Sequence, residues 1–116
     1  MKTIKILAVI FILSLGLRAQ SSANLTWNLS PTPGVTNQLV CRSLTSGSEN
    51  CQLPLMMIPN DTAITYSDTT GAPGTTYYYT LEACIGLLCS GMSNEASGTF
   101  PMPPAPQTGL TVTVKP

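Results

Sequence analysis

Between Thr76 and Ala83 the side chains alternate in kind. Tyr77, Tyr79, Leu81 and Ala83 fall on one face, and Tyr78, Thr80 and Glu82 on the other. A period of two is the mark of a half-buried antiparallel strand. Leu25 and Trp27 alternate in the same way with Asn24, Thr26 and Asn28. Strand character returns at Val35 and Gln38–Arg42, at Ile64 and Tyr66, from Cys89 to Phe100, and at Leu110, Val112 and Val114. Turn signals separate these runs: Ser30-Pro-Thr-Pro-Gly34, Thr45–Asn50, Pro59-Asn60-Asp61 and Gly71-Ala-Pro-Gly74. Cys51–Ile58 is apolar but carries Pro54, which predicts an edge strand or an irregular crossing. Residues 101–106 hold four prolines and read as an extended linker. Strands at intervals of about ten residues predict an all-β antiparallel sandwich.

The chain begins differently. Lys2 and Lys5 precede an apolar run, Ile6–Leu17, and Leu17-Arg18-Ala19 offers a cleavage site. This is the layout of a secretory signal peptide over residues 1–19, and twelve apolar residues fall short of the roughly 20 that span a bilayer. Cleavage after Ala19 leaves 116 − 19 = 97 residues, enough for one small domain. The remaining charges are Arg42 and Lys115 against Glu49, Asp61, Asp68, Glu82 and Glu95, two against five, or net −3. Two cations cannot neutralise a row of phosphates or dock on anionic lipid, so neither nucleic acid nor a membrane surface is an expected partner. No membrane insertion is expected after cleavage.

Four cysteines, Cys41, Cys51, Cys84 and Cys89, suit disulfides in an exported domain. Three connectivities exist. The local one, Cys41–Cys51 with Cys84–Cys89, is favoured because each pair straddles a turn signal, Ser46-Gly47-Ser48 or Gly86. Each pair would then face across a hairpin, where β-carbons stand about 4.5–5.5 Å apart. Gaps of nine and four residues do not suit a four-thiolate metal site, and no metal or cofactor is expected.

Several stretches together resemble a fibronectin type III domain. Leu25-Thr-Trp27, Asn28-Leu-Ser-Pro31 and Val35–Ser43 resemble its second and third strands. Ala63–Asp68 and Pro73-Gly-Thr-Thr-Tyr-Tyr-Tyr-Thr-Leu-Glu-Ala83 resemble its fifth and sixth, and Ser93-Asn-Glu-Ala-Ser-Gly-Thr-Phe100 its seventh. The resemblance covers residues 24–101, and its most specific part is the Pro-Gly-Thr-x-Tyr stretch ending at Tyr77. It implies an immunoglobulin-like sandwich over 20–101 with Trp27, Val40, Tyr66, Tyr77, Tyr79, Leu81 and Phe100 in the core. It also implies that Tyr77 is the corner tyrosine, its hydroxyl bonded to backbone near the preceding turn.

Two departures stand out. The family usually needs no disulfides, and its first strand is almost missing here. In its place a linker, 102–107, leads to a C-terminal strand-like tail, 108–116, which looks like such a first strand displaced to the end. The tail can fold back onto its own sheet, extend unpaired, or be given to a neighbouring copy. Folding back in the ordinary direction asks seven linker residues, reaching roughly 22 Å, to cover a whole strand. Pairing in the opposite direction needs no such crossing. Docking within the chain, or a loose tail, is favoured over donation, so a monomer is expected.

Chemistry is sparse. Without histidine there is no His base, His-activated nucleophile or His ligand. Asp68, Glu82 and Glu95 read as solvated or turn-capping carboxylates, and there is no phosphate loop or nucleophile elbow. An enzyme is not expected. Recognition remains, of a protein or a carbohydrate. The loop Ile85-Gly-Leu-Leu88 is apolar where it should meet solvent and is clamped by Cys84 and Cys89, which makes Ile85, Leu87 and Leu88 candidate contact residues. The opposing reading tucks Leu87 or Leu88 against the tail or residues 53–58. Tyr78, on the outward face, is a fourth candidate. Asn24-Leu-Thr, Asn28-Leu-Ser and Asn60-Asp-Thr match the glycosylation pattern without deciding function. The expected role is a secreted, non-enzymatic binding or adhesion module. The alternative is a structural subunit assembling through its C-terminal strand.

Overall fold

The computed structural model describes residues 21–116, so the expected signal segment lies outside the described residues. Seven strands follow: β1 (Ala23–Thr26), β2 (Asn37–Ser43), β3 (Met56–Ile58), β4 (Thr65–Asp68), β5 (Thr76–Ile85), β6 (Leu88–Cys89) and β7 (Ala96–Thr99). They form two antiparallel sheets. One holds β1 and β4 alone; the other runs β3-β2-β5, with β6 and β7 both on the far side of β5. β3 therefore ends the larger sheet, the edge position that Pro54 just ahead of it implies.

Alternation along β2 and β5 builds the core. The register sets Val40 opposite Leu81 and Arg42 opposite Tyr79, all on the inward face. Val40, Ile58, Tyr77, Tyr79 and Phe100 are buried together, and Ala23, Leu25, Trp27, Leu55, Ala63, Tyr66 and Leu81 pack around them half-buried. Tyr77 and Phe100 meet edge to face at 5.5 Å between ring centroids. Gly71 lies over the Phe100 ring so closely that a β-carbon there would stand 2.1 Å from a ring atom. The Tyr77 hydroxyl accepts the Ala72 N–H at 2.9 Å, in the turn just before its strand, and Arg42 stacks 4.3 Å above the same ring. At the other end of the core, Trp27 Nε1 donates to Gln38 Oε1 at 2.8 Å, and the buried Gln38 amide donates to the carbonyls of Asn60 and Ala63.

The structure departs from the sequence reading in four places. The strand expected from Cys89 to Phe100 is interrupted between β6 and β7. Across the gap Ser90 and Ser93 bond the backbone of β5, their hydroxyls taking the N–H groups of Ala83 and Leu81 and their own N–H groups the carbonyls. The Cys41–Cys51 bridge forms, but Cys51 sits in the loop before β3 rather than across a hairpin, so the bridge ties a loop to the sheet. Asp68 is fully buried instead of solvated. Finally, Leu110–Val114 forms no strand, and its apolar side chains are exposed. The register closes one of the two directions in which it could dock. β7 ends with Thr99 beside Thr76, and β1 begins with Ala23 beside Asp68, both near the 69–75 turn. The tail thus leaves at the end where β1 starts and cannot run antiparallel to β1 without first crossing the whole domain.

Candidate functional site

β5 runs out to Ile85 and turns back through Gly86 and Leu87 into β6. Gly86 takes φ +61°, the left-handed value a two-residue hairpin turn requires at its first position. One step below, Cys84 and Cys89 are Cα partners joined by a disulfide, with Cα atoms 4.0 Å apart. The loop ahead of β2 pins the tip from the side: Gly86 N–H donates to Thr36 Oγ1 at 2.8 Å, and Thr36 N–H donates to the Cys84 carbonyl at 2.8 Å. Backbone, bridge and side chain together hold the tip.

On this held tip the apolar side chains point to solvent. Leu87 is fully exposed, Leu88 is 77% exposed and Ile85 45%. The reading that tucks Leu87 or Leu88 against the tail or residues 53–58 is not what forms. Beside the tip the outward face of the larger sheet is concave. Leu39, Met57, Leu87 and Met92 line the hollow, with Asn37, Asn50, Gln52 and Glu82 around them. Leu39 and Met57 are Cα partners across the β2–β3 pair, so the apolar floor is a cross-strand pair turned outward. Tyr78 does not belong to this hollow. It is half-buried on β5 beside Ser43 and Ser97, about seven residues and 23 Å of strand from Ile85.

Sequence reading reached the tip but not Leu39, Met57 or Met92. The available signal was that Val40 faces inward, which turns Leu39 outward. An outward apolar residue beside an edge strand has only a partner or water to meet.

Several ionisable groups are used inside the domain. Asp68 Oδ2 accepts from Arg42 Nη1 at 2.9 Å and from the Tyr79 hydroxyl at 2.6 Å, while Oδ1 takes the Thr70 N–H and hydroxyl. Burial acts to raise the Asp68 pKa, but the donors of Thr70, Tyr79 and Arg42 outweigh it and bring the carboxyl down to about 2. Burial, then the bond to Asp68, pushes the Tyr79 phenol above its ordinary range. Glu95 accepts from Ser46 Oγ at 2.5 Å and from the Gly47 N–H at 2.7 Å, which tethers the 44–50 loop; its hydrogen bond with Glu49, then those with Ser46 and Gly47, lowers its pKa. Glu82 lies near Cys84 and Cys89, but both sulfurs are engaged in the bridge, which leaves one carboxylate and no thiolate for a metal. Among the described residues no helix is long and apolar enough to cross a membrane.

Comparison with known proteins agrees with this architecture. No family model matches the chain, and no curated protein does. Among solved structures it is similar to the sixth fibronectin type III domain of human fibronectin type III domain containing protein 3. The two share 21% identity and a TM-score of 0.57 over 79% of this chain and 83% of that one, which speaks for the fold. It is also similar to a Fn3-like protein from Clostridium thermocellum, at 34% identity and TM-score 0.55 over 72% of this chain and 81% of that one. The all-β, immunoglobulin-like sandwich and this likeness in sequence lead to one conclusion: the chain belongs to the fibronectin type III family.

Proposed function

We propose that this chain is a secreted, non-catalytic recognition module that holds a protein partner in the hollow beside the 85–88 tip. Two disulfides suit an oxidising compartment, and the signal-like residues 1–19 supply a route to it. Asp68 is bonded inside the core, Glu95 tethers a loop and both cysteine pairs are oxidised, which leaves Glu82 as the one carboxylate lining the hollow, with no histidine or free thiol to work with it.

The observation that carries the reading is the full exposure of Leu87 on a turn that disulfide and hydrogen bonds already hold. An apolar side chain fixed in place before binding loses little entropy when a partner covers it. Leucine and methionine on the floor favour a protein surface over a sugar, which stacks best on aromatic rings. The test is the double variant Leu87→Ser, Leu88→Ser. Its melting temperature should stay within about 2 °C of the parent, since exposed positions contribute little to folding. A partner cross-linked to the parent chain in its native surroundings should be lost from the variant and kept by a substitution at exposed Ile64. A drop of roughly 8 °C or more would make the tip structural and remove the proposal.

A further inference from the structure

We propose that the C-terminal tail, residues 108–116, of one copy enters an open groove between β1 and β7 of a second copy and completes its sandwich as an added strand. This groove lies away from the 85–88 tip, and the inference does not rest on the hollow.

Among the described residues the smaller sheet stops at two strands, and β1 has a neighbour on one side only. Trp27 N–H bonds to the Ile64 carbonyl, toward β4. By strand alternation Asn24 and Thr26 therefore turn their backbone groups toward the open side. Across the gap stands β7, whose pairing with β5 leaves its own outer edge free. The groove between these edges is lined by Leu25, Trp27, Leu81, Ser97, Thr99 and Phe100, among others. Leu25, Trp27 and Leu81 face the core yet stay half-buried, because no strand among the described residues covers them from this side. Two strand edges above a partly uncovered core form a receptor for one strand.

The tail has the matching form. Leu110, Val112 and Val114 are 91%, 82% and 84% exposed, and they alternate with Thr111 and Thr113. One edge of an extended tail is thus apolar and the other hydroxylated, as a strand covering a core requires. Its five alternating residues match the four of β1 plus Trp27, whose N–H extends the β1–β4 pairing.

Direction decides whose groove is filled. The tail leaves the domain near the 69–75 turn, the end where β1 begins, and Met102 packs against Gly74 there. A strand antiparallel to β1 has to enter from the opposite end. The chain's own tail starts at the wrong end for that direction and makes no pairing in the other, its apolar side chains all exposed, whereas the tail of a copy stacked end to end starts at the right one. The four prolines of 101–106 hold the connection extended over roughly 19 Å, which keeps the tail off its own body. Such an interface is heterologous: each copy gives a tail at one end and receives one at the other, so assembly is open-ended.

The test compares the chain from Gln20 onward with the same chain ending at Pro101, by size exclusion with light scattering over a hundredfold range of concentration. The longer chain should form concentration-dependent oligomers and the shorter should stay monomeric. A peptide of residues 105–116 should bind the shorter chain and raise its melting temperature by about 5 °C. Val112→Asp, in a fully exposed segment that folding of one copy does not need, should return the longer chain to a monomer. Leu87→Ser with Leu88→Ser should leave assembly intact. A longer chain that is monomeric throughout, or oligomers that survive loss of the tail, would overturn the proposal. So would a monomer whose melting temperature falls on truncation, since the tail would then dock in its own groove.

Discussion

The two sheets share one core but are finished to different degrees. β2 and β5 pair over seven residues, each has a neighbour on both sides, and a disulfide ties each of them to a following segment. β1 and β4 pair over four, and β1 has one open side. The inward residues record the difference. Among the apolar ones, Val40, Tyr77 and Tyr79 on the larger sheet are buried and Leu81 half-buried, while Ala23, Leu25 and Tyr66 on the smaller are all half-buried and only Asp68 there is fully enclosed. Stability therefore resides mainly in the larger sheet and in its polar link to β4. The smaller sheet has apolar area still to cover, and coverage from outside is where further stabilisation remains available.

That link is the sharpest way to break the contrast. Asp68 ends β4, and Arg42 and Tyr79 belong to β2 and β5, so one carboxylate joins the two sheets. Asp68→Ala would leave the buried Tyr79 phenol without its acceptor, and the Arg42 guanidinium, 22% exposed, with only Thr70 Oγ1 and the Tyr77 ring. Losing one member of a buried pair typically costs about 3–5 kcal/mol. Urea denaturation of the variant should show a loss of that size with little change in slope. A loss near 1 kcal/mol would mean that the sheets hold together without this link.

The same carboxylate sets a pH dependence. Its folded pKa, about 2, lies below the ordinary 3.8, so the folded state binds this proton less readily than the unfolded state. The stabilisation is complete above roughly pH 4 and disappears as pH falls toward 2, an effect of about 2 kcal/mol. Glu49, raised by burial and by its bond to Glu95, runs the other way, and Glu95 is lowered. The readout is therefore the difference between parent and Asp68→Asn. The parent should lose the extra 2 kcal/mol across this window, and the two curves should run parallel above pH 5.

What the sequence disclosed follows from the range of the interaction. Tyr77 and its turn lie five residues apart from hydroxyl to amide, and Pro-Gly-Thr-x-Tyr carries the tyrosine and starts one residue after the Ala72 amide that it bonds. Cys84 and Cys89 likewise flank one turn. Asp68 read as a turn residue because it does bond Thr70; its burial against Arg42, 26 positions away, depends on the β2–β5 register, which no local pattern specifies. The interruption between β6 and β7 was hidden for a related reason. Serine in a strand looks neutral, and only the finished pairing shows Ser90 and Ser93 taking the N–H groups of Ala83 and Leu81. The tip leucines were visible as apolar residues beside a turn, whereas Leu39, Met57 and Met92 join them only once β3 is placed beside β2. Alternation at Leu110–Val114 identifies a strand but never the edge it will meet.

The smallest expected effect separates the two sheets most finely. Leu25 faces the core from the open sheet and keeps part of its surface in water, so its truncation removes less buried area than a fully enclosed leucine would. A buried leucine replaced by alanine costs about 2–5 kcal/mol. In the chain ending at Pro101, Leu25→Ala should cost about 1 kcal/mol, below that range. In the longer chain at high concentration, where a neighbour's tail covers the groove, the same substitution should cost more, by roughly a further 1 kcal/mol, and should also weaken assembly. Denaturation of both chains at low and high concentration measures all four values. A cost of 3 kcal/mol or more in the shorter chain would mean that the smaller sheet is already as well covered as the larger. A cost that does not change with concentration would mean that nothing is added at its open edge.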